Sequence, residues 1–305
     1  MIEIVCCLDD LFVEYSGTML ESLFVHNPDE KFRVHIILNS TVCGRTKERL
    51  SQLGKKYSFD FCFYTLNNDL IKSFPTNKQD HITVSAYIRL FMTDLLPDGI
   101  DKVLYLDSDM MVVGSIKELW ETNIDDVMVA VVEERYPFDT NSPDRLCYPR
   151  EYSYFNSGMM LINFKKWKEE NLSHRCLEYI KNYPERILLH DQDVLNALLF
   201  DKKKFVSIRW NLMDFFVYKC PQIQERRKQD WEEAINRPVI IHFTGKRKPW
   251  LHFCDSPYRD IYVKFARAKG WHVQTRISAL HYVLRKGLYR LINKKKTITV
   301  PIPGK

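Results

Sequence analysis

The chain has 305 residues, 45% of them hydrophobic and 28% charged, enough for one large buried core and ordinary for a globular protein. No stretch reaches the ~18 consecutive apolar residues that span a bilayer, and a strand-like run begins at Ile2, which leaves no room for a signal peptide and sets the expectation of a cytosolic protein. The net charge of +6 is uneven, because residues 271–305 alone carry +8 and the body before them is near neutral at −2; this argues against a nucleic-acid groove and for a local contact with an anionic surface.

Strand-like and helix-like segments alternate from the start: a strand from Ile2 to Leu8, a helix from about Val13 to His26, a strand from Phe32 to Leu38, a helix from about Gly44 to Tyr57, and a strand from Phe59 to Tyr64. A helical pattern from Thr83 to Leu95 precedes the next strand. Such alternation predicts right-handed βαβ units, a mostly parallel sheet and helices on both faces. The turn after the first strand reads Leu8-Asp9-Asp10-Leu11-Phe12 and lacks G-x-G-x-x-G, so a dinucleotide site is not expected. Asp9 or Asp10 either contacts a base or ribose or caps the following helix; spacing does not separate the two. Of the eight cysteines, Cys6 and Cys7 are adjacent in the first strand and no Cys-x-x-Cys occurs, which predicts reduced, mostly buried thiols.

The apolar run Val103–Leu106 reads as a strand buried on both faces, and it ends on Asp107-Ser108-Asp109. In extended chain, residues two apart point to one side, so the two carboxylates converge and Ser108 faces away. Their mutual repulsion calls for a cation, and Mn²⁺ or Mg²⁺ suits carboxylate oxygens. A second Asp-x-Asp, Asp191 and Asp193, opens a helical pattern running to Phe200, where residues two apart do not face each other; helix capping accounts for it better than metal binding.

After the central strand come a short Ser-capped helix at Ser115–Trp120, a strand from Val127 to Val132, and a polar loop over 135–153 with Tyr136, Phe138, Tyr148 and Tyr152. Those aromatics suit either sugar stacking or ordinary packing. Tyr154–Asn163 reads as a strand whose Gly158 marks a close backbone approach, followed by a helix from about Lys165 to Asn182. The last cluster, Val239-Ile-Ile-His-Phe-Thr-Gly-Lys-Arg-Lys-Pro-Trp, ends a β-branched strand on His242. Gly245 lets backbone N–H groups approach an anion, and Lys246, Arg247 and Lys248 add positive charge. The set reads as a diphosphate cradle with one imidazole to spare for a metal.

With both clusters in hand, the sequence resembles the retaining glycosyltransferases of family 8, which include bacterial lipopolysaccharide galactosyltransferases and glucosyltransferases and, more distantly, glycogenin. The motif order is unbroken from Ile2 to about Trp250. The resemblance implies an α/β GT-A fold, a Rossmann-like nucleotide-sugar domain over residues 1–250 with a mostly parallel central sheet, followed by a basic extension over 251–305. It implies that Asp107, Asp109 and His242 bind Mn²⁺ (or Mg²⁺) against the diphosphate of a UDP-sugar. Asp9 resembles the uracil or ribose contact, Phe12 a stacking partner for uracil, and Arg89 the arginine near the donor sugar. Ser108, Gly245 and Lys248 fall among the donor-binding positions. Asn156 and the pair Asp191-Gln192 resemble the residues beside the anomeric carbon. One departure is Leu11-Phe12, where the family usually has Asn-Tyr.

The implied reaction moves glucose or galactose from UDP-glucose or UDP-galactose to a glycolipid, lipopolysaccharide or other cell-surface oligosaccharide. Two rivals are a nucleotidyltransferase, which would release diphosphate, and a non-catalytic membrane-associated sugar binder. In the tail, Ile277, Leu280, Leu284, Leu288 and Leu291 form an apolar helical stripe beside Arg285, Lys286 and Arg290. This pattern predicts peripheral attachment to the inner face of a membrane through 271–305, with packing on the body as the alternative.

Overall fold

The computed structural model describes residues 1–39, 44–66, 74, 84–134, 141–218, 226–245, 248–251, 254 and 256–273. The main sheet contains β1 (Ile2–Leu8), β2 (Phe32–Asn39), β3 (Asp60–Leu66), β4 (Lys102–Leu106), β6 (Val129–Glu133), β7 (Phe155–Asn163) and β8 (Lys203–Phe205). These seven strands lie in the order β3-β2-β1-β4-β7-β6-β8. Every neighbouring pair is parallel except the two made by β7, which runs antiparallel to β4 and β6. The sheet is therefore mostly parallel, as expected. A strand that returns antiparallel needs no crossover helix, so the chain can pass from β6 to β7 through a loop.

Alternate residues of β1 feed the two sides of the sheet. Ile4, Cys6 and Leu8 join the core beneath α1 (Val13–Val25) and α2 (Gly44–Tyr57), while Val5 packs with Tyr87, Ile88, Trp167 and Leu195 on the opposite face. Burial on both faces explains why β4 and β7 are near-continuous apolar runs. No disulfide joins the described cysteines, and Cys6, Cys176 and Cys254 are buried.

A second, three-stranded sheet was not foreseen. It holds β5 (Met110–Val112), β9 (Leu212–Met213) and β10 (Ile240–His242) in the order β5-β10-β9. β5 follows the Asp-Ser-Asp turn and pairs antiparallel with β10, setting His242 opposite Met110; β10 pairs parallel with β9, setting it beside Met213.

Three local expectations change. The segment before β4 is a 3₁₀ helix, Val84–Phe91, followed by the short α3 (Met92–Leu95); it packs among β1, β2 and the later helix α8 (His190–Leu199), with Tyr87 to Met92 all buried, so over those residues no solvent face enforces an α period. Thr83 lies outside the described residues. The helix expected over 165–182 is two, α6 (Phe164–Glu169) and α7 (Leu172–Asn182), separated where Asn171 takes a left-handed conformation at φ 49°. After α4 (Lys117–Trp120), the loop over 135–153 contains α5 (Ser142–Leu146), with Pro143 in its first turn. Tyr148 stacks on Phe200 at 5.6 Å and Tyr152 meets the same ring edge-on at 5.1 Å, so both rings pack against Phe200. Tyr136 and Phe138 lie outside the described residues.

The packed body also continues past Trp250. A helix at Arg259–Ala268 lies against α1, and Tyr258, Tyr262, Trp271 and Val273 belong to the same core as β1 and α1. Trp271 donates its indole N–H to Glu21 at 2.6 Å, and an added Cβ at Gly17 would sit 2.2 Å from its ring. Small residues make such a slot. The stripe Ile277 to Leu291 lies outside the described residues, and no helix among the described residues is long and apolar enough to cross a membrane.

Candidate active site

The carboxyl end of β4 delivers Asp107 and Asp109 on a tight turn, and β10 brings His242 to them through its pairing with β5. One ligand atom from each of the three lies within 4.8 Å of the others. His242 Nε2 is 3.2 Å from Asp109 Oδ1 and 4.0 Å from Asp107 Oδ2. The other carboxylate oxygens are engaged elsewhere. Asp107 Oδ1 pairs with Arg89 at 2.9 Å and accepts from the Tyr105 hydroxyl at 2.8 Å, and Asp109 Oδ2 pairs with Lys248. Two carboxylates and an imidazole at this spacing are a donor set that fits a hard divalent cation.

The electrostatics agree with that fit. Burial works against an ionised Asp109, yet the Lys248 ammonium and His242 hold its carboxyl far below the usual range. The close approach expected at Gly158 is real: a Cβ there would stand 2.4 Å from His242 Cε1, 2.8 Å from Asp107 Oδ2 and 3.0 Å from Asn156 Oδ1. Its carbonyl accepts from the Asp107 N–H at 2.9 Å, tying β7 to the carboxylate turn.

Arg89 leaves the 3₁₀ helix and runs beneath this cluster. Its guanidinium is 2.9 Å from Asp107 and 3.2 Å from Asp191, lies over the Tyr105 ring at 4.5 Å, and donates to the Ser157 carbonyl at 3.0 Å. Burial opposes its charge, but the two aspartates hold it firmly protonated. Burial raises the Asp191 carboxyl above its ordinary range, and Arg89 partly offsets the effect.

Asp191 and Gln192 stand at the start of α8 (His190–Leu199), and Asn156 on β7 faces them. Asn156 Nδ2 donates to Gln192 Oε1 at 3.0 Å and to Glu134 Oε2 at 2.9 Å; Gln192 Nε2 donates to the same Glu134 oxygen at 2.9 Å. Gln192 Oε1 also accepts from the Ser157 N–H at 3.0 Å, and Asp191 Oδ2 accepts from the Ser157 hydroxyl at 3.0 Å. Asp193 points away from this group. Its buried carboxylate accepts from Arg145, from the Tyr154 hydroxyl at 2.9 Å and from the Leu188 and Leu189 N–H groups at 2.7 Å, so it ties down the chain that enters the helix from within its first turns; the N-cap is Leu189, not the Asp191 or Asp193 expected.

Asp9 caps the 3₁₀ turn Asp10–Phe12, its Oδ1 accepting from Leu11 N–H at 3.0 Å; burial raises its carboxyl, and the capping bonds oppose the rise. The Phe12 ring meets Tyr15 edge-on at 5.7 Å and Trp250 at 6.2 Å, which brings the first turn against the strip that carries Lys248. Ser108 is buried and its hydroxyl bonds Ser16 on α1 at 2.7 Å, fastening the carboxylate turn to that helix. Gly245 takes φ +73° with open space where a Cβ would go. Lys246 and Arg247 lie outside the described residues.

Sequence reasoning missed Glu134 and Asn211. Glu134 had a signal, an acidic pair closing an apolar strand as Asp107 closes β4. Asn211 had none, because its place beside His242 arises only from the pairing of β9 with β10.

The model of "Glycosyl transferase family 8" matches residues 3–254. General stress protein A of Bacillus subtilis is 30% identical over 283 residues, 89% of this chain and 95% of that protein. The lipopolysaccharide 1,3-galactosyltransferase of Salmonella typhimurium is 28% identical over 299 residues, covering 94% of this chain and 85% of its own length. A lipopolysaccharide 1,2-glucosyltransferase of Escherichia coli is 28% identical over 269 residues, covering 87% and 77%. The crystal structure of galactosyltransferase LgtC in complex with donor and acceptor sugar analogs shares the fold, with a TM-score of 0.80 at 23% identity over 92% of this chain and 99% of that one. Fold, ordered motifs and a match over most of the chain agree that it belongs to glycosyl transferase family 8.

Proposed function

We propose that this glycosyltransferase moves a hexose, glucose or galactose, from a UDP-sugar to a glycolipid or other cell-surface oligosaccharide with retention, using Mn²⁺ or Mg²⁺. The observation that carries the reading is the convergence of Asp107, Asp109 and His242 within 4.8 Å, beside a hydrogen-bonded group of Asn156, Gln192 and Asp191. Similar proteins named as lipopolysaccharide galactosyl- and glucosyltransferases support the substrate class.

Opening the C1–O bond toward an oxocarbenium ion gathers negative charge on the departing diphosphate. Asp107, Asp109 and His242 would hold a divalent cation, which would supply Lewis-acid neutralisation of that charge. Lys248 stands at the edge of the same cluster and adds a fixed positive charge, and Gly245 allows backbone N–H groups to approach. Gln192 Oε1 already accepts two hydrogen bonds, and Asp191 is tied to Arg89 and Ser157. Neither is a free nucleophile, which favours attack on the face the leaving group vacates, with UDP taking the acceptor proton. Asp9 and Phe12 would receive the uridine and Arg89 the donor sugar. Residues 271–305 would hold the enzyme peripherally at the inner face of a membrane, with Trp271 anchoring the root of that extension in the body.

The test is UDP release by the purified protein with UDP-glucose and UDP-galactose in parallel, in Mn²⁺, with and without a lipopolysaccharide-core acceptor. One donor should be consumed. Metal removal with EDTA, or Asp109→Asn, should lower the rate by on the order of 100-fold or more. Failure of both donors with acceptor present, or an Asp109→Asn variant as fast as the parent protein, would overturn the reading.

A further inference from the structure

His242 is a ligand only if a lone pair on Nε2 faces the two aspartates, and a neutral imidazole has two tautomers. What selects between them lies on the other side of the ring. His242 Nδ1 is 2.9 Å from Oδ1 of Asn211, a residue with no solvent exposure that leads into β9. An amide can be turned either way, so its orientation follows from its other partners.

Those partners leave no freedom. The Gly158 N–H can only donate, and it is 3.0 Å from Asn156 Oδ1. Asn156 is thereby turned with its NH₂ toward Glu134 and Gln192, and Gln192 in turn accepts from the donor-only Ser157 N–H. The second lone pair of Asn156 Oδ1 takes Asn211 Nδ2 at 2.8 Å. Asn211 must then present its carbonyl oxygen to His242, and Nδ1 must carry the proton. Every amide hydrogen and lone pair named here is used once, so a flip at any member sets donor against donor or acceptor against acceptor.

We propose that Asn211 is a positioning residue that fixes the Nδ1–H tautomer of His242, so that Nε2 is free to bind the cation, through an amide relay set by the Gly158 N–H and ended by Glu134. The relay also couples the metal site to Asn156 and Gln192, so that one network aligns the ligand and the groups beside the reacting sugar. Metal-bound histidines generally depend on such an outer partner, whose loss lowers metal affinity by ~10–100-fold. This deepens the metal-dependent reading above, although the tautomer itself can be measured without metal or donor.

The experiment combines ¹⁵N–¹H NMR of the histidine rings in metal-free protein at alkaline pH, with His242 identified by His242→Gln, and Mn²⁺ binding followed by electron paramagnetic resonance. The parent protein should carry a proton on Nδ1, against the competing pull of Asp109 Oδ1, which lies 3.2 Å from Nε2. Asn211→Leu keeps the side-chain size but removes the acceptor, leaving Asp109 Oδ1 as the ring's remaining acceptor. It should move His242 to the Nε2–H form and weaken Mn²⁺ by ~10–100-fold. Asn211→Asp keeps an acceptor for Nδ1–H while setting an oxygen against Asn156 Oδ1, so it should retain the Nδ1–H proton and bind Mn²⁺ more tightly than Asn211→Leu, whereas a merely structural role would penalise both variants alike. An Nε2–H ring in the parent protein, or a folded Asn211→Leu that binds Mn²⁺ as the parent does, overturns the proposal. The parent tautomer decides even if Asn211→Leu fails to fold. Absence of UDP release alongside the expected tautomer and Mn²⁺ results would defeat the transferase reading and leave this one standing.

Discussion

Gly158→Ala is the sharpest single-atom perturbation of this site. The new methyl would meet His242 Cε1 at 2.4 Å, Asp107 Oδ2 at 2.8 Å and Asn156 Oδ1 at 3.0 Å, three side chains already held by partners. Carbon atoms in contact settle near ~3.5–4.0 Å, so the imidazole must retreat by roughly 1 Å. Overpacking of this kind costs about 1–3 kcal/mol, a fall in Tm of roughly 2–10 °C for a domain of this size. The loss of function should be larger than the loss of stability, because a ~1 Å misplacement of an aligned group can cost on the order of 100-fold in rate. Mn²⁺ affinity, UDP release and thermal unfolding should be measured on the same preparation. Gly114→Ala is the control, since the atoms nearest its Cβ would be those of Val239, at an ordinary 3.4 Å. A Gly158→Ala protein that binds Mn²⁺ and releases UDP within two-fold of the parent would refute the packing argument.

Two further substitutions separate structure from chemistry. Asp193→Asn leaves Arg145 facing a neutral amide in a buried site and should cost on the order of 3–5 kcal/mol, while Mn²⁺ affinity and UDP release per folded molecule stay unchanged; a drop in metal affinity would show that the second Asp-x-Asp reaches the metal after all. Lys203 sits among the rings of Tyr152, Phe155 and Phe205, and burial lowers its ammonium from 10.5 to about 8. The folded state then binds fewer protons than the unfolded state between those values, so the penalty is complete below pH 8 and disappears as pH passes 10.5. Lys203→Met should stabilise the protein at neutral pH by on the order of 2 kcal/mol after allowance for solvent screening. Denaturant titrations should show that gain shrinking across the window, and a gain independent of pH would contradict the assignment.

Much of this protein could be read from local pattern. Apolar runs of strand length between helical periods identify the parallel sheet, because a strand buried on both faces has no polar alternation to obscure it. Asp107 and Asp109 announced themselves because two carboxylates at the mouth of such a strand have few structural uses, and Gly158 because a glycine inside a strand marks contact with something close. Local signals failed where burial or distant pairing took over. In the 3₁₀ segment Val84–Phe91, Tyr87 to Phe91 are all buried, with no polar alternation to reveal the period, and Asn171 ends a helix through one left-handed residue inside an otherwise continuous pattern.

The sequence by itself determined the family and the layered α/β architecture and pointed to Asp107, Asp109 and His242 as the candidate metal donors, since each depends on residue type and spacing along the chain. Only the tertiary structure decided which atoms of those residues are available. Asp107 spends Oδ1 on Arg89 and Tyr105, Asp109 spends Oδ2 on Lys248, and His242 gives Nδ1 to Asn211, so one atom of each is left facing the same point. Hydrogen bonds are directional and saturable, and their allocation among residues far apart in sequence is set when β5, β9 and β10 come together.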